Sequence, residues 1–287
     1  IELPMEARGF GAVLALAPGV EEPGLDAFLA RIAAMAATPL NAHSAAWRPL
    51  PQTIVDVAPT RPCAEAPEGM VTIPAGEFLF KVGGIEIEGF NWAGVDVQYP
   101  WENSPRRHHL RRMTLPAFHI DRHPVTNAQF QRFLQDSGYR PRDAANFLRH
   151  WVDGAPRPGW ENRPVTWVSL EDARAYAAWA GKRLPREWEW QYAAQGTDGR
   201  LYPWGNEWDE SRVPKVNRGR RLLPPDEVGR HPQGASPFGV EDLVGHVWQW
   251  TDEFVDEHTR AAILRGGSNY RPQTSHWYFP QAYRLDQ

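Results

Sequence analysis

Phe238-Gly239-Val240-Glu241-Asp242-Leu243-Val244-Gly245-His246-Val247-Trp248-Gln249-Trp250-Thr251, followed closely by Leu264-Arg265-Gly266-Gly267-Ser268, holds the key to this chain's fold. Glycines and tryptophans alternate with short apolar pieces, and no run is long enough to make a helix. The rest of the chain after Gly196 has the same character, with turns at Asp198-Gly199, Tyr202-Pro203-Trp204-Gly205 and Arg265-Gly266-Gly267-Ser268. The composition agrees. The 287 residues include 14 Trp, 27 Pro and 24 Gly, the signature of a loop-rich fold pinned by large aromatic rings.

Working upstream, three helices are signalled by their caps. Thr126 with Gln129 three residues on forms a capping box, Phe130, Phe133 and Leu134 supply an apolar face, and Gly138 ends the helix. Ser169 with Asp172 opens the second; Tyr176, Ala177 and Ala180 line it and Gly181 closes it. The third starts around Pro185 and Glu187, carries Trp188, Tyr192 and Ala193, and ends at Gly196. Met70-Val71-Thr72-Ile73-Pro74-Ala75-Gly76 reads as a strand running into a turn. The expected class is α+β, with few helices, small sheets and much irregular structure.

Before that domain, residues 1 to about 16 read as strands, like the closing strands of a β-sandwich of the kind that ends many glycoside hydrolases. Leu25, Phe28, Leu29, Ile32 and Met35 recur at helical spacing up to Thr38-Pro39. The expected organisation is 1–38 as the tail of a preceding domain plus a helix, 39–68 as a Pro-rich linker arm, and 69–287 as the main domain. A chain that opens on Ile1 and stops at Gln287 without a cap reads as a fragment of a longer polypeptide.

Charge and composition narrow the function. Hydrophobic residues make up 42% and charged residues 23%, and the formal net charge is −4, so no basic field favours nucleic acid. No apolar run approaches the ~18 residues of a membrane span. The single cysteine, Cys63, excludes an internal disulfide, a cysteine-cluster metal site and a catalytic cysteine pair within the chain.

The ordered motifs resemble the formylglycine-generating enzyme (sulfatase-modifying factor) family. They run from Met70–Phe78 through Phe118–Asn127, Pro164–Ser169, Gly181–Pro185, Glu187–Trp190, Tyr202–Gly205 and Phe238–Thr251 to Leu264–Ser268. The resemblance implies a C-type-lectin-like FGE-sulfatase fold with a tryptophan-rich core. It also implies three possible roles. These are formylglycine-generating oxidation, sulfoxide synthesis of the ergothioneine type with iron held by histidines of a separate helical bundle, or ligand binding and display without catalysis.

In the oxidases of this family two cysteines after the Arg-Gly-Gly-Ser motif bind copper, a job suited to soft thiolates. Counting from Ser268 puts Arg271 and His276, give or take one, at those positions. Copper bound by a cysteine pair is therefore excluded. Residues 1–68 are too short and Pro-rich to be the iron-binding bundle of the sulfoxide synthases, although a preceding part of the polypeptide would have room for it. The family's structural calcium sites use oxygen ligands. One takes an Asn and a Glu where this chain has His246 and Gln249, which weakens calcium there. Asn217 matches the Asn of a second such site.

The remaining candidates form an aromatic and polar set. Asn269, Tyr270, Arg271, His276, Trp277, Tyr278 and Arg284 suit a concave site in which rings stack and polar groups orient a glycan or peptide. Trp277 and Tyr278 are equally readable as core. His119, Asp121 and His123 alternate along a strand and would share one face, as metal ligands can. The better reading makes both histidines substitutes for core aromatic residues. His108-His109 sits on an expected basic, solvated edge, and Asp252, Glu253, Asp256 and Glu257 read as a solvated turn. The expected function is a non-catalytic binding or accessory module joined to a neighbouring, carbohydrate-related domain. The alternative is a metal-dependent oxidoreductase of the non-heme iron type.

Overall fold

The computed structural model of the chain describes residues 15–17, 19–20, 22–38, 57–84, 107–217, 223–254, 262–269 and 283–286. The chain divides into two compact units, Ile1–Asp56 and Val57–Gln287. The first contains helix α1 (Leu25–Ala36), entered through Gly24 at φ 87° and followed by Ala37. The apolar period of Leu25, Phe28, Leu29, Ile32 and Met35 does make a helix, but no residue of it is buried. The strands expected before Leu16, and the linker from 39 to 56, lie outside the described residues.

The second unit is α+β with much irregular structure. Strand β1 (Met70–Ile73) pairs antiparallel with β4 (Phe118–Asp121), and β2 (Gly76–Gly84) with β3 (Arg107–Leu115). Helices α2 (Asn127–Ser137), α3 (Leu170–Trp179) and α4 (Glu187–Gln195) follow. Strands β5 (Gln249–Phe254) and β6 (Ala262–Arg265) pair last. Among the described residues no helix is long and apolar enough to cross a membrane.

The helix boundaries follow local chemistry. Thr126 and Gln129 close a reciprocal capping box, and so do Ser169 and Asp172, because a side-chain oxygen at each site satisfies an N–H that the first turn leaves free. Gly138 takes the left-handed conformation after α2, at φ 64°.

Two apolar clusters result. The larger packs Ile73, Phe78 and Val82 of β1 and β2 against Trp190, Tyr192 and Ala193 of α4, with Leu243, Val244 and Leu285 closing it. Gly76 sits against the Tyr192 ring so closely that a Cβ there would meet its hydroxyl. The smaller cluster holds Phe130 and Phe133 of α2, Tyr176 of α3, and Leu148 and Trp151 of the intervening loop. The rings of Phe130 and Tyr176 stack at 5.7 Å.

Buried polar side chains fasten the loops to these clusters. Asn127 is 1% exposed. Its Oδ1 accepts from Trp151 Nε1 at 2.8 Å and His150 Nε2 at 3.2 Å, and its Nδ2 donates to the Trp160 carbonyl at 2.9 Å. Gln191 of α4 donates to the carbonyls of Lys81 and Leu285, joining β2 to the C-terminal segment.

The expected solvated turn at 252–257 needs correction at its start. Asp252 is buried in β5, where Arg174 of α3 donates to its carboxylate and Arg186 to its carbonyl. A buried carboxylate is stable only when paired, and this one has a guanidinium beside it. Glu253 meets Arg186 at 3.1 Å, while Asp256 and Glu257 lie outside the described residues.

Truncating Asn127 to Ala leaves the buried Trp151 N–H and the Trp160 carbonyl without their partner and is expected to cost about 3 kcal/mol, read from urea unfolding. A pH effect arises at the same junction. Burial, and then the positive charge of Arg157, lower the His150 imidazole to about 4. The unfolded chain therefore takes up this proton first, and stability is expected to fall as pH drops from ~6.5 towards ~4. Urea midpoints followed across that window should decline less steeply for His150→Gln than for the unaltered chain.

Candidate functional site

The motif opened by Phe238 folds as a series of turns that bring their polar groups to one place. Gly266 stands at φ 88°, and a Cβ on it would strike the Leu243 carbonyl. Glycine is needed here on both counts. The close approach lets Gly245 N–H donate to the Gly266 carbonyl at 2.8 Å and forms a parallel bridge between His246 and Ser268. Asn269 N–H then donates to the His246 carbonyl at 3.4 Å, and the Asn269 carbonyl accepts from Asn217 N–H at 2.7 Å. Three positions singled out in the sequence, Asn217, His246 and Asn269, thus lie on one backbone ladder.

The C-terminal segment returns to the same place. The Tyr283 hydroxyl donates to the Ser268 carbonyl, and the Tyr283 ring stacks on Trp208 at 5.4 Å. Arg284 forks onto Asp286, with both nitrogen–oxygen distances 2.9 Å, and Lys81 reaches the same carboxylate at 2.9 Å. Burial pushes the Asp286 carboxyl up, but these two cations outweigh it and hold the group below the usual range. Arg284 is thus committed to an intramolecular pair. Tyr270, Arg271, His276, Trp277 and Tyr278 lie outside the described residues.

Next to the ladder is a cluster that the sequence did not single out as one. The Asp242 side chain is fully buried and its backbone is left-handed, at φ 56°, a conformation that aspartate tolerates better than most residues. Gly229 N–H donates to its Oδ2 at 2.7 Å. His123 Nδ1 lies 3.5 Å from Oδ2 and His246 Nδ1 lies 3.6 Å from Oδ1. These separations are electrostatic contacts at the outer limit of hydrogen bonding. Burial raises the Asp242 pKa, yet the two imidazoles and the Gly229 N–H overcome it and hold the carboxyl well below its ordinary value. The only hint in the sequence was the spacing of Asp242 four residues before His246; His123 comes from a distant strand end.

The three alternating residues His119, Asp121 and His123 do not converge. His119 contacts Thr72 Oγ1 at 3.1 Å and the Cys63 carbonyl at 3.2 Å, Asp121 pairs with Lys182 at 2.6 Å, and His123 faces Asp242. Among the described residues no group of three or more His, Cys, Asp or Glu side chains is placed to hold a metal ion. His109 is exposed near the start of β3, opposite Val82 and stacked on Phe80 at 5.6 Å.

With this arrangement in view, comparison with known proteins is decisive. Residues 56–284 match the sulfatase-modifying factor enzyme 1-like domain. The chain belongs to the FGE-sulfatase family. It is 32% identical over 277 residues to a formylglycine-generating enzyme of Mycobacterium tuberculosis, covering 69% of this chain and 90% of that protein. To a hercynine oxygenase of the same organism it is 40% identical over 163 residues, covering 48% of this chain but only 38% of the relative. An inactive C-alpha-formylglycine-generating enzyme 2 of Mus musculus is 30% identical over 246 residues, with 69% and 73% covered. Among solved structures, the crystal structure of CarF aligns at a TM-score of 0.48 and 19% identity, over 77% of this chain and 95% of that one.

The depressed Asp242 carboxyl has a testable sign. A carboxylate with a lowered folded pKa stabilises above its unfolded value of ~3.9, and that stability is lost as pH falls through the folded value. Asp242→Asn is expected to cost about 2 kcal/mol near neutral pH, and the gap from the unaltered chain should narrow below pH ~4 in urea titrations.

Proposed function

We propose that this chain is a ligand-binding member of the FGE-sulfatase family that does not oxidise cysteine through a copper-binding cysteine pair. The observation that carries this reading is the cysteine inventory. Cys63 is the only thiol, and it is exposed far upstream of the Arg-Gly-Gly-Ser motif, where counting from Ser268 brings Arg271 and His276 to the reactive positions. An always-protonated guanidinium is not a metal ligand, and one imidazole cannot replace two thiolates towards Cu(I).

The binding role is supported by how the described stem is built. Ser268 and Asn269 are fixed on the ladder from one side, and Tyr283 fastens the other end to the Ser268 carbonyl. Between those ends the sequence carries Tyr270, Arg271, His276, Trp277 and Tyr278, an aromatic and cationic set suited to a glycan or a peptide. The C-type-lectin-like fold implied by the motifs belongs to the same reading, as does a covalently linked neighbouring domain on the side of residues 1–38. The mouse relative named as inactive supplies a precedent for the family without the cysteine chemistry.

A second reading draws on a specific likeness. The 40% identity to hercynine oxygenase favours an oxidoreductase, with this chain spanning about two-fifths of such a protein and the metal held from another part of it.

The test is elemental analysis of the purified chain after exposure to copper, iron, zinc and calcium salts, with the double variant Arg271→Ala/His276→Ala beside it. The expected outcome is no stoichiometric copper or iron in either protein, followed by a glycan or peptide hit in array screening that the double variant loses. Stoichiometric iron or copper abolished by the double substitution, or screens that return no glycan or peptide, would replace the binding reading with the oxidoreductase.

A further inference from the structure

Among the described residues, strand β3 pairs on one edge only. It forms a two-stranded ribbon with β2, and the far edge of β2 is already taken: Gly83 N–H donates to the Asp286 carbonyl at 2.8 Å, and the Lys81 carbonyl accepts from Gln191 Nε2 at 2.8 Å. In an antiparallel ladder a residue turns its N–H and its C=O to the same side, and neighbours alternate. Lys81 and Gly83 therefore face away from β3, Phe80 and Val82 bond to Arg111 and His109, and the backbone groups of Leu110 and Arg112 point out from the free edge. The side chains along this edge are basic. From Ser104 to His119 the sequence carries Arg106, Arg107, Arg111 and Arg112 with His108 and His109 and no Asp or Glu, although acids outnumber Lys and Arg by 35 to 31 in the whole chain. His109, Arg111 and Arg112 are exposed, and neither Arg111 nor Arg112 has a carboxylate partner among the described residues. Leu110 is 63% exposed and shares a face with Arg112; Leu79, 41% exposed, stands opposite Arg112 and diagonal to Leu110.

We propose that the free edge of β3 docks an extended acidic segment of a partner protein by strand addition. An edge that alternates donors and acceptors is matched by another polypeptide backbone. A phosphodiester or sulfated chain offers acceptors to the N–H groups but leaves the Leu110 and Arg112 carbonyls without donors. Successive side chains of a strand point to opposite faces, so two consecutive acidic residues on the added strand meet Arg112 on one face and Arg111 on the other. An aliphatic residue two places from the acid on Arg112 then reaches Leu110 and Leu79. A second copy of this chain is a poor occupant, because two β3 edges side by side set guanidinium against guanidinium. The charges that keep the edge from pairing with itself thus select an acidic partner. The proposal uses none of the residues 270–278 on which the ligand-binding reading rests.

The experiment is fluorescence polarisation of a short labelled peptide, a central Glu-Glu pair flanked on both sides by alternating Val and Thr, titrated with the full chain. The unaltered chain is expected to bind it saturably. Arg111→Glu/Arg112→Glu is expected to weaken binding about tenfold or more, since it turns two attractive cross-strand pairs into repulsive ones. The same peptide with its central backbone amides N-methylated keeps its charges but has no N–H to give, and it is expected not to bind. Arg271→Ala/His276→Ala is expected to bind the parent peptide as the unaltered chain does, which separates this edge from the ligand-binding segment. Absence of binding at millimolar peptide overturns the proposal. So does equal binding of the N-methylated peptide, loss of binding in Arg271→Ala/His276→Ala, or tighter binding of heparin or single-stranded RNA than of the peptide. If the charge-reversed variant does not fold, the comparison of the two peptides on the unaltered chain decides the matter alone.

Discussion

A buried positive charge organises the second unit. The Arg265 side chain is 3% exposed, donates to Glu187 Oε1 at 3.2 Å and to the Leu285 carbonyl at 2.6 Å, and lies over the Trp190 ring at 5.1 Å. A guanidinium cannot shed its proton, so burying it demands an anion and aligned acceptors from whatever surrounds it. Here those come from the first turn of α4, from the end of the chain and from an aromatic face. Strand β6, helix α4 and the C-terminal segment are therefore drawn together around this charge. Gly266, which follows Arg265, can then lie close against the Leu243 carbonyl, and that contact builds the site.

The same logic recurs in smaller form wherever irregular backbone is buried. Asn127 and Gln249 each commit a primary amide to loop carbonyls, and Gln191 commits its own to the Lys81 carbonyl of β2 and the Leu285 carbonyl of the C-terminal segment. A fold with three two-stranded sheets among the described residues has many carbonyls to place. Side-chain amides suit the task because each offers two donors and an acceptor in one plane, and a buried group without a partner costs far more than a formed bond returns.

How much of this was legible beforehand tracks distance along the chain. The capping boxes of Thr126 and Ser169 involve partners three residues away, and both helices formed where those residues stand. The motif order was enough to name the family and to exclude the cysteine pair. By contrast, Asp252 looked like part of a solvated acidic turn because its guanidinium partner, Arg174, is 78 residues upstream in helix α3. The bond from Gln249 to an indole 59 residues away was likewise not readable from its own motif. His123 and Asp242 belong to segments whose proximity only the folded chain creates. The aromatic set between Tyr270 and Tyr278 was legible as chemistry, but its arrangement is a tertiary property that no spacing rule encodes.

Tyr283 gives the stem one more property. By anchoring itself to the Ser268 carbonyl it makes the two ends of residues 270–282 neighbours, however long the intervening chain is. Closing such a loop depends only weakly on its length, at about 0.6 kcal/mol for each doubling. Lengthening or shortening the chain between the two anchors therefore carries only a small loop-closure penalty. The Tyr283 anchor thus converts a long-range closure into a local one, and the entropic cost of the chain between Asn269 and Tyr283 is nearly independent of its length.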